Sequence, residues 1–201
     1  YIVSGRRRDL NDFTRRIVQA MDPAPIYDGL DLLPDHPRFV LVANHYQRKG
    51  LWILHPASAI TQAIVQRYGP SPVPVRWMAT ANWPRVRLGP LSFRSPGDWL
   101  LPRVAHALSC YPVSFAGSDP AYTAQSIRLL LREAQSLDRP IGIFPEGVAG
   151  SAGRITEPLP GAGRLVGKLA RLGLPAVPAA ISEAGGALHI RFLQPIPAST
   201  L

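Results

Sequence analysis

Two short stretches, far apart in the chain, carry side chains able to move protons. Asn44-His45 closes the apolar run Phe39-Val40-Leu41-Val42-Ala43, and Phe144-Pro145-Glu146-Gly147 closes the run Ile141-Gly142-Ile143. A neutral imidazole can take a proton from a hydroxyl near neutral pH, so His45 is the candidate general base. Glu146 offers a carboxylate that can accept hydrogen bonds from substrate hydroxyls or hold a neighbouring loop. Pro145 fixes the turn there, and Gly147 lets backbone approach a ligand. Asn44 and the cations Arg48, Lys49 and Arg154 complete the candidate binding set. The plainer alternatives are a structural histidine after a strand and a glutamate that caps a loop.

These side chains meet only if the elements before them run side by side. Each apolar run is short and bounded by turn residues, as buried strands are. If the two strands are parallel neighbours, both motifs leave the same carboxyl edge, where open α/β sheets place their sites. The rest of the chain supports such a sheet. Apolar spacing predicts helices over 9–21 and 126–137, the second stopped by Pro140, with others ending near Tyr68 and spanning 164–172. Strands are expected at 39–43, 73–80, 111–115, 141–144, 176–181 and 188–193. This alternation predicts an α/β fold, a single domain with a mixed, largely parallel central sheet flanked by helices. Residues 1–25 form a basic, amphipathic helical segment, expected to dock on the core or rest on an anionic membrane, and 26–201 form the α/β domain.

Bulk properties narrow the partners. The chain of 201 residues carries 22 Lys+Arg against 13 Asp+Glu, a net charge of +9, which favours anionic partners such as phosphates, lipid head groups or nucleic acid. Cys110 is the only cysteine, so no internal disulfide is possible, which suits a cytoplasmic location. No apolar stretch has the length of a membrane span, and the first residues lack a signal-peptide core. The segment 82–103 interleaves Trp83, Trp99 and Phe93 with Arg85, Arg87, Arg94 and Arg103. It reads first as an irregular segment packed on the sheet, then as a lipid-interfacial patch, and last as a nucleic-acid platform, because no nucleic-acid motif accompanies it. Gly161-Ala162-Gly163 opens a helix but lacks the strand and spacing of a dinucleotide fingerprint.

In order and spacing, Asn44-His45, Phe144-Pro145-Glu146-Gly147 and the stretch Gly173 to Ile181 resemble the lysophospholipid and glycerol-3-phosphate acyltransferases. The lead-in Tyr27-Asp28-Gly29-Leu30 belongs to the resemblance, which runs from about residue 26 to the end. It implies acyl transfer from acyl-CoA or acyl carrier protein to a hydroxyl of a lipid acceptor at a membrane surface, with no metal and no cofactor beyond that co-substrate. In the family motif Asn-His-x-x-x-x-Asp, the histidine is the general base and the aspartate orients it. The match places the base at His45 and a substrate-binding glutamate at Glu146. Three departures stand out. Gly50 occupies the aspartate position, Tyr111 to Gly117 lacks the arginine of the second block, and Val148-Ala149-Gly150 lacks that of the third. Another acceptor, a backbone carbonyl or a carboxylate such as Glu146, would have to orient His45. Otherwise the fold has become a lipid or acyl-chain binder without efficient turnover.

Overall fold

A computed structural model of the protein describes residues 5–82, 86–88, 91–93, 97–115, 119–148 and 155–201. The strands are β1 (Ile26–Asp28), β2 (Val40–Ala43), β3 (Arg76–Asn82), β4 (Val86–Leu88), β5 (Leu91–Phe93), β6 (Tyr111–Ser114), β7 (Ile141–Ile143), β8 (Ala176–Ala184) and β9 (Ala187–Phe192). The helices are α1 (Leu10–Gln19), α2 (Leu54–Tyr68), α3 (Gly97–Ala107), α4 (Pro120–Glu133) and α5 (Ala162–Arg171).

Among the described residues the main sheet has seven strands in the order β1-β9-β8-β2-β7-β3-β6. β8, β2, β7, β3 and β6 are mutually parallel, β9 returns antiparallel to β8, and β1 lies parallel to β9. This is the mixed, largely parallel sheet that the alternation predicts. β2 is central, and its residues divide between two cores. Leu41 and Ala43, with Phe39 just before the strand, face one layer with Ile60 and Ile64 of α2. Val40 faces the other, with Leu130 of α4 and Leu165 and Leu169 of α5. A strand buried on both faces must be apolar at every position, so its sequence is a run rather than an alternation.

The terminal helix α1 docks on α2. The Gln62 amide donates to the Thr14 hydroxyl at 2.8 Å, and the Leu10 N–H donates to the Pro72 carbonyl at 2.8 Å. α4 begins at Pro120, well before the expected residue 126, and ends at Glu133 rather than 137. Asp119 caps it, accepting the Tyr122 N–H at 3.0 Å, and Pro120 sits in the first turn where its missing N–H costs nothing. The segment 82–103 is more regular than expected. β4 and β5 pair antiparallel, and α3 packs on β3 and β6. Trp83, Arg85 and Arg94 fall outside the described residues. β1 escaped the sequence reading because it is three residues at the sheet edge, directly after Pro25.

Candidate functional site

β2 and β7 are adjacent and in register, Val40 opposite Ile141 and Val42 opposite Ile143. The same offset of 101 residues, carried past the strand ends, sets His45 opposite Glu146, and the His45 backbone N–H donates to Glu146 Oε1 at 3.1 Å. Glu146 is 3% exposed. Its second oxygen accepts the Thr156 N–H and the Thr156 hydroxyl, both at 3.3 Å. The carboxylate therefore ties the end of β2 to the loop that enters α5. Gly147, at φ 67°, closes the turn by donating its N–H to the Phe144 carbonyl at 3.1 Å.

The His45 ring is half-buried. It meets Phe144 edge-to-face, at a centroid distance of 5.6 Å and 65° between planes. Phe144 in turn stacks flat on Trp77 of β3, 4.8 Å away and 6° from parallel. The Trp77 indole N–H donates to the Thr61 hydroxyl of α2 at 3.0 Å. A Cβ at Gly142 would overlap the Trp77 indole, so the glycine in β7 makes room for this ring. His45 Nδ1 is buried without a hydrogen-bond partner. Burial pulls the imidazole below its ordinary value, and the Glu146 carboxylate opposes that shift without cancelling it. Glu146 reaches the backbone of His45 through its hydrogen bond, leaving the ring to be oriented by packing.

The flanking candidates are engaged within the fold. Asn44 clamps β2 to β8, its amide donating to the Ile181 carbonyl at 3.0 Å and accepting the Ile181 N–H at 2.6 Å. Arg48 makes a two-pronged ion pair with Glu183, at 2.6 and 2.7 Å, and Tyr46 donates its hydroxyl to the same carboxylate at 2.9 Å. That pairing holds the Glu183 carboxyl below the usual range. Residues 48–51 form a tight turn closed by reciprocal backbone bonds between Arg48 and Leu51, with Lys49 exposed and Gly50 at φ 81°. The turn borders a groove of about 510 Å³ shared with α1, lined by Ile17, Met21, Leu51 and Leu188 with Arg16 and Arg48 among the polar groups. Arg154 lies outside the described residues.

No family model matches the chain, and no curated protein sequence matches it. The fold does match. It is similar to the crystal structure of the 1-acyl-sn-glycerophosphate acyltransferase PlsC from Thermotoga maritima, with a TM-score of 0.58 at 13% identity, covering 96% of this chain and 69% of that one. The α/β architecture is thus one that supports acyl transfer in another protein. Trp77, Thr156 and Glu183 are site neighbours that the sequence reading missed. Trp77 had one signal, the glycine inside the β7 run, since an interior strand glycine marks close approach of another group. Thr156 and Glu183 had none, because sheet order and loop return bring them in.

Proposed function

We propose that the protein is an acyltransferase that moves an acyl group from an acyl-CoA or acyl-carrier-protein thioester to a hydroxyl of a lipid acceptor at a membrane surface. The observation that carries this reading is the meeting of His45 and Glu146 at the carboxyl edge of the parallel strands, on a fold similar to that of a glycerophosphate acyltransferase. With Nδ1 buried, Nε2 is the nitrogen left to meet the acceptor. It takes the hydroxyl proton as the oxygen attacks the thioester carbonyl. The carbon–sulfur bond then breaks, and the departing thiolate takes the proton from the imidazolium, so the enzyme ends as it began. Glu146 contributes by fixing the backbone from which His45 projects.

Purified protein incubated with an acyl thioester and a panel of lipid hydroxyl acceptors tests the reading. Thiol release that depends on the acceptor, and that drops by about 10²–10⁴ in His45→Ala, is expected. Equal turnover in His45→Ala would remove His45 as the base. A second reading has its own observation. Gly50 supplies no orienter, Nδ1 has no partner and Arg48 is held by Glu183. These features favour a lipid- or acyl-chain-binding protein that kept the fold, which would bind the thioester without consuming it.

A further inference from the structure

Among the described residues, His45 Nδ1 is buried with no hydrogen-bond partner. A neutral imidazole can be oriented by a hydrogen bond or by shape, and among the described residues Nδ1 is held by shape. Phe144 lies edge-to-face with the imidazole, at 65° between planes, and Trp77 stacks flat on Phe144. Both separations fall within the range of about 4.5–7 Å at which aromatic rings prefer edge-to-face or offset contacts. The far end of this column is fixed as well. The Trp77 N–H is held by the Thr61 hydroxyl, which donates to the Ala57 carbonyl at 2.7 Å inside α2. The near end cannot slide, because Phe144 is covalently two residues from Glu146, and Glu146 holds the His45 backbone.

We propose that Phe144 and Trp77 are positioning residues for His45, an aromatic column anchored on Thr61 that fixes the imidazole plane in place of an acidic orienter. The column explains two features together: the glycine at 142 and the indole hydrogen bond into α2. Burial lowers the His45 titration and the Glu146 carboxylate works against that shift, so a change in how Phe144 packs on the ring is readable in the titration. The inference rests on the proposed role of His45 for its catalytic meaning, but ring placement can be read without turnover.

The test uses Phe144→Leu, Phe144→Tyr and Gly142→Ala, with His45 followed by proton NMR of its ring hydrogens and turnover followed with an acyl thioester. Phe144→Leu is expected to move the His45 titration up toward the ordinary imidazole value. It should also lower kcat about tenfold to a hundredfold, as misplacement of a reacting group does, with KM within about twofold. Phe144→Tyr keeps the ring and should return both readouts close to wild type. Gly142→Ala touches Trp77 and not His45, and it should reproduce the Phe144→Leu titration shift. A His45 titration and kcat in Phe144→Leu equal to wild type would overturn the column. Should wild type turn over no thioester, the titration decides alone: a shift in Phe144→Leu and Gly142→Ala upholds the column while the proposed activity fails.

Discussion

An imidazole that is to take a proton from a hydroxyl must first be neutral, and burial keeps His45 so. Its value in the fold lies below the ordinary 6.5, because desolvation outweighs the Glu146 carboxylate. Acyl transfer is therefore expected to be flat around neutral pH and to fall on an acid limb that begins below 6.5. The same group links folding to pH. As pH falls, the unfolded chain binds the proton before the folded one does, so stability drops through that window. A profile of kcat against pH checks the first point, and a limb above neutrality would exclude His45 as the base. Denaturant titrations at neutral and acidic pH check the second. Position 50 yields a sharper expectation. An added Cβ would find open space there, its nearest neighbour being the Arg48 guanidinium at 3.9 Å. An aspartate would thus be drawn to Arg48, in competition with Glu183. At φ 81° it would also cost about 1–3 kcal/mol in strain. Gly50→Asp is expected to lower the melting temperature without raising turnover. A tenfold gain in kcat would show that the carboxylate does find the imidazole.

Between residue and fold stand the junctions of strands. Asn44 ends β2 by bonding both backbone groups of Ile181, so its amide extends the β2–β8 pairing past the last regular residue. Asn44→Ala leaves that N–H and that carbonyl without their partner, a loss of about 2 kcal/mol. For a domain of this size, that corresponds to about 4–8 °C in Tm. Calorimetry should register that fall, and because His45 is the next residue, turnover should decline with it. An unchanged Tm would mean that β8 holds β2 without the clamp. Elements of this kind divide sharply in how legible they are. β2, β7 and the start of β8 stood out because strands covered on both faces are apolar throughout. The start of α4 was obscured because its first turns, Pro120 to Gln125, carry little of the apolar stripe, and only the Asp119-Pro120 pair marks them. β1 is three residues on an edge, too short for any period to show. At the site, motif ends were legible and their neighbours were not. His45 and Glu146 sit at strand termini, whereas Trp77 and Glu183 arrive through sheet order.

Across the whole molecule, the order of strands brings two distant motifs together at one sheet edge. None of the described helices is long and apolar enough to cross a membrane. The chain nonetheless carries +9 overall. Arg16 of α1 lines the same groove as Gly50, Leu51 and His55, Lys49 of the turn is exposed, and Trp52, next after Leu51, is 70% exposed before α2. Tryptophan settles at the head-group level of a bilayer, and arginine meets lipid phosphates. This surface should draw the protein to an anionic bilayer by charge and hold it by the indole. Sedimentation with phosphatidylcholine vesicles, with and without phosphatidylglycerol, measures this. Pelleting is expected with the anionic vesicles at low salt. It should vanish as salt rises toward 1 M, where the screening length shrinks from about 10 Å at 0.1 M to about 3 Å. Trp52→Ala touches no part of the aromatic column and should cut the pelleted fraction at a fixed lipid concentration while leaving Tm unchanged. Pelleting that ignores both lipid charge and salt would mean that the arginines serve the fold and its solubility alone, and that the acceptor must reach His45 from solution.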